Sequence, residues 1–254
     1  MTKIIPYLFI SISISSLSLL GQSVSLSHND KYQIGINYSI NNTFRVLKND
    51  SKNENFDNII DSRNNREKSL LNNSLGINFI INFKDKMFIE TGVTYSIMGY
   101  QTKEQELLFS NLSDPRKGFT VNYSNLPTTE KLIVEYAFIK IPTTFNVTFI
   151  DKKISVYGLG GISTNFLLYK ESTYEWLLQD GSIDVVKSGK NKWELYKTIN
   201  FSAIAGLGLK YSINEKIDLR LTPNFEYSFT SFTDSKMKEY PYSYGIQIKL
   251  FYTL

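Results

Sequence analysis

Residues 217–229 read IDLRLTPNFEYSF. The odd positions, Ile217, Leu219, Leu221, Pro223, Phe225, Tyr227 and Phe229, are apolar or aromatic. The even positions, Asp218, Arg220, Thr222, Asn224, Glu226 and Ser228, are polar. Alternation with a period of two is a β-strand with one apolar and one polar face. The run is about twice as long as the usual strand of roughly 5–6 residues. At about 3.3 Å per residue and a tilt of roughly 40°, its apolar face covers about 30 Å of height, enough to cross a bilayer.

The same pattern recurs along the chain. Alternating stretches lie at about 31–40, 71–83, 87–100, 132–149, 154–169, 198–211, 217–229 and 242–254. Lys84-Asp85-Lys86, Asp151-Lys152-Lys153 and a segment centred on Asn214 are short turns. The longer connections, about 41–70, 101–131, 170–197 and 231–241, are polar. Ser113-Asp114-Pro115 with Gly118 marks a turn in the second of these. Asp180-Gly181 marks a hairpin tip in the third. Short turns on one side and long loops on the other define the expected fold: an all-β, eight-stranded antiparallel transmembrane up-and-down β-barrel. It has three short periplasmic turns, four longer extracellular loops and both termini in the periplasm.

Alternation alone does not say which face is inside, because a soluble barrel alternates too, with its apolar face inward. The charges decide. The more apolar parity of each strand core carries none. The opposite parity carries Glu90, Lys140, Lys210, Asp218, Arg220, Glu226 and Lys249 among Asn, Ser, Thr and Gly. A soluble surface is far richer in charge. Sparse charges among small polar groups suit the packed interior of a narrow barrel, whereas a charge facing lipid costs ~2–4 kcal/mol near the midplane.

The 254 residues suffice for one such domain. With no cysteine, disulfides, thiolate metal sites and a lipid-modified anchor are excluded. The net charge of +4 comes from cations scattered among carboxylates, which is no nucleic-acid footprint. Tyr and Phe, 17 of each, suit a protein with two membrane–water interfaces to line. Residues 1–21 read as a secretory signal: Lys3, then an apolar, Ser-rich run from Ile4 to Leu20, then Gly21 before a cleavage point at Gln22. The serines at 11, 13, 15, 16 and 18 dilute that run against the alternative of an uncleaved anchor. The barrel domain is then 22–254.

TGVTYSIMGY (91–100), YAFIKIPTTFNVTF (136–149) and YGLGGISTNFLL (157–168) resemble the PorT-like outer-membrane β-barrel proteins of the Bacteroidota. There a "GLxYSxxGY" strand is followed by "YLxIPLLL" and a glycine-rich "GPYxxYLL" strand. Gly160-Gly161-Ile162 stands here where Gly-Pro-aromatic is common, and Leu254 where a terminal aromatic is commoner. The resemblance implies the barrel and the outer membrane of a Gram-negative bacterium. It leaves function open, although the family's namesake acts in protein secretion.

No catalytic residue, cofactor or metal site is expected. Outer-membrane hydrolases generally need a histidine base, and the only histidine, His28, precedes the first strand in a polar segment. There is no HExxH, nucleotide-binding glycine loop or EF-hand pattern. Gly158, Gly160 and Gly161 read as strand curvature or tight packing, since no helix follows them. The seven interior charges fit a structural plug of ion pairs, with an ion or proton path as the alternative. Folding about Asn214 sets Lys210 opposite Asp218, with Arg220 one inward step away and Glu90 joining from across the lumen; Lys249 falls near Asn224 and Glu226. Pro142 and Pro223 should bulge or break the ladder. Trp176, Trp193 and Tyr174, in the third loop, are candidate binding anchors or else that loop's own small core or an interface belt. Two functional classes remain: a non-enzymatic surface, adhesion or secretion-associated protein acting through its loops, and a barrel conducting small solutes or ions. Expected partners are outer-membrane lipid, the insertion machinery and an extracellular or secretion partner, with no nucleic acid.

Overall fold

The computed structural model describes residues 31–51, 53–107, 126–188 and 195–254. In chain order the elements are β1 (Tyr32–Asn49), α1 (Asn55–Arg66), β2 (Glu67–Lys84), β3 (Met87–Thr102), β4 (Gln105–Glu106), β5 (Pro127–Ile150), β6 (Ile154–Leu178), β7 (Ile183–Lys187), β8 (Ile199–Ser212), β9 (Ile217–Ser228) and β10 (Met237–Thr253). The expected signal segment, His28, the 113–118 turn and Trp193 lie outside the described residues.

Eight strands close into a ring in the order β5-β3-β2-β1-β10-β9-β8-β6, and β6 pairs back to β5; β4 and β7 are short additions on β5 and β6. All pairings are antiparallel. Following directly opposed residues around the ring from Ser155 of β6 returns to β6 at Asn165, ten residues on. Eight strands with a stagger of ten tilt by about 40° and leave a bore that side chains can fill.

The burial pattern is inside-out relative to a soluble domain. On β9, Asp218, Arg220, Thr222, Glu226 and Ser228 are buried, while Leu219, Leu221 and Phe225 are exposed. The same inversion holds on β1, where Gln33, Asn37, Ser39 and Asn41 are inside and Ile34, Ile36, Tyr38 and Ile40 outside. An outward band of Ile, Leu, Val, Phe and Tyr encircles the barrel.

The strands overrun their expected ends on one side. The stretch read as a loop over 41–70 holds the end of β1, the helix α1 and the start of β2. The segment read as a loop over 170–197 contains a β6–β7 hairpin; its tip is Asp180-Gly181, as expected, and Gly181 has φ +81°. β5 and β6 reach 24 and 25 residues, so this corner of the sheet rises well beyond the apolar band. Polar loop-like composition hid these extensions, because above a lipid band the outer face no longer needs to be apolar.

Pro142 and Pro223 each face a gap in one ladder. Thr91↔Thr143 and Thr94↔Lys140 pair normally, but the two positions between them, at Pro142, do not; the same holds beside Pro223, between Gly206↔Asn224 and Leu209↔Leu221. Register is kept across both gaps, so the ladder is broken on one side without a bulge. The other neighbour pairs through each proline without a break.

Candidate functional site

The short-turn end of the lumen is a vestibule of about 500 Å³, framed by the turn residues Asp85, Asp151, Asn214 and Glu215. Its floor is Arg220, whose guanidinium carbon lies 4.9 Å from the Phe88 ring centroid and 4.7 Å from that of Phe251. Tyr157, on the same floor, donates to or accepts from Thr222 at 2.8 Å. Its ring lies where a side chain at Gly208 would project, so the glycine makes room for the aromatic inside the bore.

The register in this region differs from the expected one. The β8–β9 hairpin folds about residue 215, opposing Ser212 to Asp218 and Lys210 to Arg220. The reason is the Asn214 side chain. Its Oδ1 accepts from the backbone N–H groups of Lys216 and Ile217, both at 2.9 Å, so Asn214 opens the turn instead of centring it. Inward parity is unchanged, but partners shift by two. Asp218 therefore accepts from Arg220 (3.4 Å), Gln33 (3.2 Å) and Ser212 (2.8 Å), not from Lys210. Lys210 is half-buried on the vestibule wall.

Higher in the bore, Lys249 donates to Glu90 at 2.6 Å, and Asn78 donates to the same carboxylate. Glu90 thus joins Lys249 instead of Asp218. Lys249 lies opposite Arg220, not beside Asn224. A void of about 30 Å³ adjoins this pair, and beyond it Lys140 donates across the lumen to Glu226 at 2.8 Å. Of the seven charges, all but Lys210 are buried. Removing so many ions from water is tolerated because each of the six buried ones has an opposite charge within reach.

Small polar side chains fill the next layer: Asn165 donates to Asn200 and Ser202, and Ser202 shares a hydrogen bond with Ser228. An apolar plug closes the bore above them. Met98, Tyr100, Val134, Tyr136, Phe138 and Leu167 surround Phe232, which has no exposed surface. Phe232 comes from the β9–β10 connection, which turns inward and is tied down by Lys197 N–H donating to Phe232 O (2.7 Å) and by the Tyr196–Thr233 bridge.

Above the plug lies a second charge cluster that sequence reading missed. Arg45 bonds Glu67 at 2.7 Å and approaches Glu239 at 3.5 Å; Arg63 of α1 reaches Glu67 at 2.9 Å and Glu239 at 3.7 Å. The Arg45 guanidinium sits 3.2 Å from the Tyr100 ring centroid. The signal was present: Arg45 and Glu239 continue the inward parities of β1 and β10. Tyr174 and Trp176 sit on the raised part of β6, half-buried, with ring centroids 6.2 Å apart, and Lys131 bonds Glu175 between them at 2.9 Å.

A closed eight-stranded barrel with an apolar outer band and a polar, ion-paired bore is a transmembrane barrel of the outer-membrane type. The chain belongs to the outer membrane protein beta-barrel domain family, which matches residues 21–237, and its location is the outer membrane of a Gram-negative bacterium. Solved structures similar to it include Neisserial surface protein A (10% identity, 86% of this chain and 95% of that one, TM-score 0.42). OprG from Pseudomonas aeruginosa is similar too (13% identity, 87% and 97%, TM-score 0.39), as is Ail, the attachment invasion locus protein of Yersinia pestis (13%, 86% and 99%, TM-score 0.31). A comparison with curated proteins finds no match.

Proposed function

We propose that this is a non-enzymatic surface protein that acts through its extracellular elements, in adhesion or in association with secretion. The observation that carries this reading is the sealed bore. Phe232 is fully buried in the plug, and the Arg45–Glu67–Glu239–Arg63 cluster covers it, so the described residues fill the bore above the vestibule, which favours a surface role over solute conduction. The raised β5–β6–β7 corner, with Tyr174 and Trp176, is the most extended element among the described residues on that side, and it is the surface that a partner would meet. The likeness of 91–100, 136–149 and 157–168 to PorT-like proteins favours a secretion-associated role and a Bacteroidota origin. On this reading residues 1–21 direct export and are removed, and the barrel machinery of the outer membrane inserts the rest.

Planar-bilayer recording tests the sealed bore: reconstituted protein gives no unitary conductance, and steady channels of defined size would instead support ion conduction. Cells carrying a chain in which 171–188 is replaced by a short turn should display the barrel normally yet lose surface attachment or secretion. Full activity in that variant would place the function elsewhere.

A further inference from the structure

The vestibule floor sets three cations side by side. Lys210, Arg220 and Lys249 are directly opposed on three adjacent strands, all facing inward. Directly opposed side chains have Cβ atoms about 5 Å apart, and like charges so placed repel. Lys249 is neutralised by Glu90 and Arg220 in part by Asp218. Lys210 has no hydrogen-bond or ion-pair partner among the described residues. Arg220 is 2% exposed, yet its Nε and Nη1 have no acceptor. A buried guanidinium with orphaned N–H groups is costly unless something accepts from them.

The carboxylates nearby do not fill this role. Asp218 is already bonded to Arg220 Nη2, Gln33 and Ser212; Asp151 accepts from Ser155; and Asp85 and Glu215 ride on the exposed turns. The space is adequate: about 500 Å³ falls in the range of small-molecule sites. Nε and Nη1 lie on different edges of the guanidinium, so each can donate singly to an oxygen of a carboxylate or phosphate.

We infer that the periplasmic vestibule binds a small water-soluble oxyanion, a phosphate or carboxylate group, between Lys210 and Arg220. The ligand enters from the periplasm, on the side opposite the extracellular elements, so this inference stands independently of the role assigned to them.

The test uses the mature protein in phosphatidylcholine nanodiscs, with thermal unfolding followed as inorganic phosphate is added, against sodium chloride at matched ionic strength. Phosphate should raise the midpoint by several degrees more than chloride. Lys210→Gln should fold, show a higher midpoint than wild type without phosphate because the repulsion is relieved, and lose at least three-quarters of the phosphate response. Lys103→Gln, outside the vestibule, should respond as wild type does. Equal responses to phosphate and chloride, or an unchanged phosphate response in Lys210→Gln, would overturn the site. A Lys210-dependent shift that appears only on adding phosphatidylglycerol to the nanodisc, and not with inorganic phosphate, would overturn it as well, since the ligand would then be a lipid headgroup.

Discussion

At the scale of single residues, the bore is governed by pairing. Lys140 and Glu226 reach each other from opposite walls, so neither strand pairing nor sequence distance links them. Removing one leaves the other charged, buried and unpaired. Lys140→Ala should lower the stability to urea by about 3–5 kcal/mol, whereas Lys140→Met with Glu226→Leu, which removes both charges, should recover most of that loss. Reconstituted barrels titrated with urea would measure both. A double variant as unstable as the single one would mean the pair is not what holds these strands. Inward parity is legible in the sequence for all of these positions, but partners are not. A partner depends on register, and one Asn214 side chain moved the β8–β9 register by two residues. The glycines carry a similar lesson. Gly160 and Gly161 look alike in the sequence, yet a Cβ on Gly160 meets nothing, while one on Gly161 would strike the Thr143 carbonyl oxygen of β5.

At the scale of elements, the spanning halves of the strands were legible and the halves on the long-loop side were not. Within the lipid band two rules act together, apolar outward and polar inward, and the alternation is unmistakable. Above it only the inward rule persists. Asn41, Thr43, Arg45 and Leu47 still face in, but Asn42 and Lys48 face out, so the stretch reads as a polar loop. The helix α1 has a single buried residue, Ile60, and gives no apolar stripe to find. It is held to the barrel chiefly through Arg63, which shares Glu67 and Glu239 with Arg45. Arg63→Ala should therefore remove this anchor and loosen the helix without opening the barrel. Hydrogen exchange should quicken by an order of magnitude or more across 55–66 and stay slow in β8 and β9. Unchanged protection in α1 would show that the helix is anchored by other contacts.

At the scale of the whole molecule, closure is the decisive property. A sheet with free edges can be peeled from either side, but this ring has none inside the lipid band: every spanning strand has two partners, and the only short, one-sided strands among the described residues, β4 and β7, sit above it. The one-sided gaps at Pro142 and Pro223 interrupt single ladders without parting a strand from both neighbours. The bore supplies a second, independent hold, because detergent meets only the outer surface and must pull buried ion pairs apart to unfold the ring. Unfolding should thus be all-or-none and slow at room temperature. The protein from outer-membrane fractions should run on dodecyl sulfate gels as two forms. The unheated sample should migrate as a compact species, and the boiled one more slowly, at the mobility of the unfolded chain, 29.3 kDa at full length. A single band at one mobility with and without heating, or recovery of the protein from the soluble periplasm, would contradict a closed ring embedded in lipid.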